Sequence, residues 1–191
     1  MKVVLCGPPH SGKSCLREGL KQAIRKVEGA PYPYVITACP DGEGAWFSEA
    51  AQNDPELAQR LKEDYKSKFT PEFARVRAEW VAKATTPLTI IDVGGRTSDE
   101  NLMIMAPATH AVILAGDMGK IPEWRAFCES LDLHVIAVIY SDYHGTEDRI
   151  DSVDPVLTGR VHHLERGEDN SERPMVVALA SLFIRLAVSG E

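Results

Sequence analysis

Apolar runs of four to seven residues recur along the chain, separated by longer segments in which apolar positions return every three to four residues. Short continuous apolar runs suit strands buried on both faces, and the longer period suits the helices that cover them. The pattern therefore predicts βα units around a mainly parallel sheet of five or six strands, an α/β fold. Strands are expected at Val3–Cys6, Tyr34–Ala38, Leu88–Asp92, Ala111–Ala115 and Val135–Tyr140, with a further one at Gly159–His163. Helices are expected at Lys13–Val27, Pro55–Lys83, Glu100–Met105, Pro122–Leu131 and Pro174–Val188. The last is apolar on almost every side, which predicts deep burial.

Two segments interrupt this alternation. Residues 53–84 are charged and helical with a break near Thr70-Pro71, because the residue before a proline is biased out of the helical region, and they predict a helical insertion outside the sheet. Residues 141–173 carry Asp, Gly, His and Glu in loop-like clusters, which predicts a surface excursion before the final helix. With 191 residues the chain is expected to form one domain.

Composition narrows the classes. An apolar content of 44% supports a real core and excludes wholesale disorder, and a net charge of −7 argues against a dedicated duplex-DNA binder. Cys6, Cys15, Cys39 and Cys128 form no CxxC pair, so they read as small hydrophobes in a reduced compartment rather than as zinc ligands or disulfides. The longest apolar stretch, Met175 to Val188, is interrupted by Arg185 and is too short to span a bilayer, and with two residues ahead of Val3 no secretory leader is expected. A cytoplasmic protein with no membrane contact is expected.

The chemistry concentrates in Gly7-Pro8-Pro9-His10-Ser11-Gly12-Lys13-Ser14, which matches the phosphate-binding P-loop pattern G-x-x-x-x-G-K-[ST]. The motif follows a predicted strand and opens a predicted helix, the context in which backbone N–H groups and a helix N-terminus meet phosphate charge. A three-layer αβα P-loop NTPase is therefore expected, with residues 7 to 15, Cys15 included, cradling ATP. Lys13 is expected to bridge the β- and γ-phosphates, and Ser14 to ligate Mg²⁺. Asp92, ending an apolar strand 79 residues after Lys13, supplies the second magnesium-side carboxylate. Asp92-Val93-Gly94-Gly95 also resembles the DVGG of heterotrimeric and Arf-type G proteins. No Asn-Lys pair follows the strand ending at Tyr140, and Arg96 stands where a water-orienting Gln would be. ATP chemistry is thus expected ahead of GTP hydrolysis, although Asp142 remains able to read a base.

An acceptor site is expected in the loop after the second strand, Cys39 to Trp46, where Asp41 and Glu43 stand between glycines and can take an acceptor proton. Trp46 offers a stacking face. Arg96 is the first choice for stabilising charge on the transferred group, ahead of Arg60, Arg75 and Arg77 on the insertion. His162 and His163 are adjacent on a predicted strand and point to opposite faces, which disfavours a shared metal ion and favours a role at a subunit or nucleotide interface.

Four segments together, Gly7 to Ser14, Ala38 to Gly44, Ile91 to Arg96 and Val161 to Asp169, resemble the P-loop, AAA-labelled domain that accompanies or is fused to a CRISPR-associated ring nuclease in type III systems. The resemblance covers residues 3 to about 188. It implies nucleotide binding by residues 7 to 14 with Asp92, and a ring-nuclease partner in antiviral signalling. In fused members the nuclease is an additional domain, for which 191 residues leave no room, so cleavage of cyclic oligoadenylate is not expected. The activity expected from the residues is a kinase-like phosphotransfer from ATP·Mg²⁺ to a small molecule, a nucleotide or a nucleic-acid end. The alternative is a nucleotide-dependent switch or assembly ATPase acting through a protein partner. A homo-oligomer is compatible with either.

Overall fold

The computed structural model describes residues 1–40 and 69–190. Seven strands form one sheet: β1 (Lys2–Cys6), β2 (Pro33–Thr37), β3 (Leu88–Asp92), β4 (His110–Ala115), β5 (His134–Asp142), β6 (Arg149–Ser152) and β7 (Leu157–His162). Their order is β2-β3-β1-β4-β5-β7-β6, parallel throughout except for β6, which runs antiparallel to β7 at the edge. The described helices are α1 (Lys13–Arg25), α2 (Pro71–Lys83), α3 (Asp99–Met105), α4 (Ile121–Glu129) and α5 (Pro174–Ser189), with a 3₁₀ turn at Met118–Lys120.

Alternation within the apolar runs divides the core in two. Val3 and Leu5 of β1, with Val112 and Leu114 of β4, face α1 and α5, where Leu16, Leu20, Leu179 and Phe183 pack. Val4 and Cys6, with Ala111 and Ile113, face α2, α3 and α4, where Val81, Ile104, Trp124 and Cys128 pack. Helices on both faces are what a parallel sheet with apolar residues on each side requires. Cys6 and Cys128 are buried thiols with sulfurs 3.6 Å apart. Their hydrogen bond, together with burial, pushes the Cys6 thiol well above its ordinary range.

Helix starts follow local chemistry. The expected break at Thr70-Pro71 is the start of α2, where the Thr70 hydroxyl accepts Phe73 N–H at 3.2 Å and Pro71 occupies the first turn. The part of the expected insertion from 53 to 68 lies outside the described residues. No described helix is long and apolar enough to cross a membrane.

One expectation is corrected. The sheet has seven strands rather than five or six, because the 141–173 stretch adds the unexpected edge strand β6 beside β7, which overlaps the strand expected at Gly159–His163. The anchor of that stretch is Asp148, whose carboxylate is fully buried. It accepts His162 N–H at 3.0 Å and Met175 N–H at 3.0 Å, and lies 2.6 Å from His162 Nδ1. The negative charge thereby sits at the N-terminus of α5 and ties that helix to β7.

Candidate functional site

The C-terminal end of β1 leads through residues 7–12 directly into α1. Gly7 has φ +134°, and a Cβ there would lie 1.8 Å from the Leu114 carbonyl oxygen of the neighbouring strand, so only glycine fits. Gly12 precedes α1 with φ +78°, and no side chain caps the helix. The positive end of the helix dipole therefore faces the cavity above it. The Ser11 hydroxyl donates to Pro8 O at 2.9 Å and accepts Gly116 N–H at 3.3 Å, which fastens the loop to the end of β4. His10 is exposed with φ +62°.

Lys13 is buried and folds back over this loop, its Nζ donating to Gly7 O at 2.9 Å and to Pro8 O at 2.8 Å. Ser14 Oγ donates to Asp92 Oδ2 at 3.1 Å. That contact follows from strand order, since β3 pairs directly with β1 and places Asp92 opposite Leu5. Asp92 is 3% exposed. Arg17, one helical turn after Ser14, reaches the same oxygen at 3.2 Å and bridges to Thr37 on β2 at 3.3 Å. Its part in the site is absent from the sequence reading, although its spacing from Ser14 was a signal.

Residues 93–96 lie against the glycine loop. A Cβ on Gly95 would fall 2.5 Å from Pro9 N and 2.6 Å from Pro9 Cα. This segment is clamped from α3 by the fully buried Asn101, whose Nδ2 donates to Gly94 O at 2.9 Å and Arg96 O at 2.7 Å. Asn101 is a second residue the sequence reading missed. Its signal was a lone amide within the apolar helix of residues 100–105. The Arg96 side chain is exposed at the rim.

Residues 9–15, 92–96 and Asn101 line a cavity of about 620 Å³, joined by Cys39 and Pro40 after β2, by Phe69, and by Tyr143, Leu164 and Arg166. Asp41, Glu43 and Trp46, expected to form the acceptor site, lie outside the described residues, as does Arg60. Arg75 pairs with Glu79 at 2.9 Å, and Arg77 stacks on Phe73 and Trp80, so α2 explains both without a role at the cavity.

The two adjacent histidines part company. His162 turns to Asp148, whereas His163, at φ +40°, stacks beside Tyr143 with ring centres 5.0 Å apart. Tyr143 donates its hydroxyl to Glu165 at 2.5 Å, and that bond raises the phenol above its ordinary pKa. Among the described residues, no group of three His, Cys, Asp or Glu side chains is placed to hold a metal ion. Ser14 and Asp92 provide two adjacent oxygen groups, a set that suits Mg²⁺ only where phosphate oxygens and water complete its shell.

No protein-family model matches this chain, and no curated protein matches it significantly.

Proposed function

We propose that the chain binds ATP·Mg²⁺ across Gly7–Ser14 and Asp92 and transfers the γ-phosphoryl group to a small molecule, a nucleotide or a nucleic-acid end. The observation that carries this reading is the convergence on one cavity of a glycine loop, an uncapped helix N-terminus, a buried lysine, and a Ser14–Asp92 pair. Each is a group that a triphosphate needs. With phosphates on the loop, Lys13 Nζ exchanges the Gly7 and Pro8 carbonyls for phosphate oxygens. Ser14 and Asp92 are the residues that would hold Mg²⁺, which supplies charge neutralisation on the phosphates. Arg17, one turn further along α1, holds the same Asp92 oxygen.

In the transfer, an acceptor oxygen forms a bond to the γ-phosphorus while the bond to the bridging oxygen breaks and ADP leaves. The acceptor proton passes to Asp41 or Glu43, and Arg96 meets the charge on the transferred group. Purified protein incubated with γ-labelled ATP and Mg²⁺, with and without a pool of nucleosides, nucleotides, oligonucleotides and metabolites, tests the reading. Label in a new compound supports it.

Slow phosphate release that is insensitive to the pool would instead favour a switch ATPase acting through a protein partner. The observation on that side is the seating of Gly95 on Pro9, which makes residues 93–96 and α3 responsive to what the glycine loop holds.

A further inference from the structure

The sheet ends at β6, and among the described residues nothing pairs with the outer edge of that strand. Its backbone is oriented by β7. Arg149 is registered with Arg160, and its carbonyl oxygen faces β7, against the position a Gly159 Cβ would take. Backbone groups of successive strand residues point to alternate edges, so Ile150 turns its N–H and C=O outward. An outward donor and acceptor on one residue are what a further antiparallel strand pairs with.

The side chains make this edge self-complementary. Ile150 is registered with Gly159, whose Cβ would meet Met175 of α5, so Ile150 lies on the α5 face of the sheet, 41% exposed. Arg149 and Asp151 lie on the opposite face, where Arg149 Nε stands 2.6 Å from Asp151 Oδ1 and both side chains are open to solvent. When two copies pair antiparallel about Ile150, Arg149 of each meets Asp151 of the other, and the two isoleucines meet on the α5 face. In-register parallel pairing would instead set Arg149 beside Arg149 and Asp151 beside Asp151, which like charges disfavour. The charges that guard an edge against indiscriminate pairing are here matched to the edge's own two-fold image.

We propose that β6 is the interface of a two-fold dimer of this chain, in which the Ile150 N–H of each copy donates to the Ile150 carbonyl of the other and the two sheets join into one. The bulge at Asp151 confines regular pairing to residues 149–151, so the association is weak and concentration-dependent. β4, β5 and β7 stand between the strand of the glycine loop and the shared edge, so neither copy completes the other's cavity. The two-fold axis points the C-terminal ends of the parallel strands, and the cavities above them, in opposite directions. The dimer goes beyond the phosphotransfer reading and does not depend on what the glycine loop holds.

Sedimentation velocity over about 1 μM to 1 mM covers the range of weak specific interfaces. The wild type should pass from monomer to dimer across it, and the Ile150 amide should exchange more slowly as the dimer forms. Arg149→Asp and Asp151→Arg each set like charges at both symmetric positions and should weaken self-association on the order of tenfold or more, with melting curves showing that both variants fold. Mixed together, the two variants again bring opposite charges face to face and should form a mixed dimer. Loss of the Arg149–Asp151 pair within one copy gives no such rescue. A wild type that stays monomeric throughout would overturn the proposal. So would a dimer that both variants retain, the absence of a mixed dimer, or an Ile150 exchange rate that ignores concentration. Should either variant unfold, the Ile150 exchange of the wild type still decides the matter.

Discussion

Alanine at Gly95 separates the two loops that the fold presses together. Its Cβ would sit 2.5 Å from Pro9 N, about 0.9 Å short of the 3.4 Å at which ordinary van der Waals contact begins. The obstructing atoms are backbone, so no rotamer change clears them, and one loop has to yield. Overpacking of this kind costs about 1–3 kcal/mol, or roughly 2–12 °C in Tm for a chain of this length. The yielding segment carries Arg96 and is tied to α3 by the Asn101 bonds to Gly94 and Arg96. A displacement near 1 Å at a catalytic group lowers turnover on the order of a hundredfold. Lys13, Ser14 and Asp92 keep their own contacts, so nucleotide affinity should fall far less than turnover. Calorimetric Kd and the rate of label transfer from γ-labelled ATP, both measured well below the two melting temperatures, give the comparison. Wild-type turnover in a folded Gly95→Ala protein would refute the view that the seating of this segment on Pro9 serves the reaction.

Lys13→Ala should abolish stabilisation by nucleotide, which at a ligand concentration 100 times Kd amounts to about 2.7 kcal/mol in the wild type and is read from melting curves with and without ATP. Asn101→Leu removes two donors and leaves the Gly94 and Arg96 carbonyls unpaired, for a loss of about 2–3 kcal/mol in urea unfolding. Asp148→Ala strips two backbone N–H groups and His162 of their buried acceptor and should cost about 3 kcal/mol, with β7 and the first turn of α5 losing hydrogen-exchange protection first. His110 is lowered from its ordinary 6.5 by burial and then by His134 and the chain's amino group. The unfolded chain therefore takes up its proton first as pH falls, so stability is full above 6.5 and declines below it. Urea midpoints across that range should show the decline, and His110→Gln should flatten it; an unchanged slope would assign the effect elsewhere.

Central elements were legible because burial leaves them few alternatives. Leu88–Asp92 is paired on both edges and buried on both faces, so its four apolar or β-branched residues had one reading, and its terminal aspartate stood out against them. β6 left no such trace. Arg149–Ser152 is an edge strand with Ile150 41% exposed, held by backbone pairing to β7 that composition does not record. β2 begins at Pro33, one residue before the expected Tyr34, because a proline at the start of an edge strand forfeits no ladder bond. The glycine loop and Lys13 were visible in a local motif. Arg17 and Asp148 were not, because each acts on a partner that the fold brings in from elsewhere, Asp92 and the start of α5, and Asn101 was not, because its bonds to the nearby Gly94 and Arg96 carbonyls depend on how the turn between them folds back.

The position of β1 also governs when the glycine loop acquires its shape. β1 pairs with β3 at Lys2↔Thr89 and with β4 at Val3↔His110, closures of 87 and 107 residues. The helix that follows the loop can form from local contacts, but the strand that precedes it has no partner until both distant segments have been laid alongside. The Gly7 contact with Leu114 is made in the same late step. A ligand gripped by this loop therefore finds no partial site in an early intermediate, and its stabilisation should appear as slower unfolding with an unchanged folding rate.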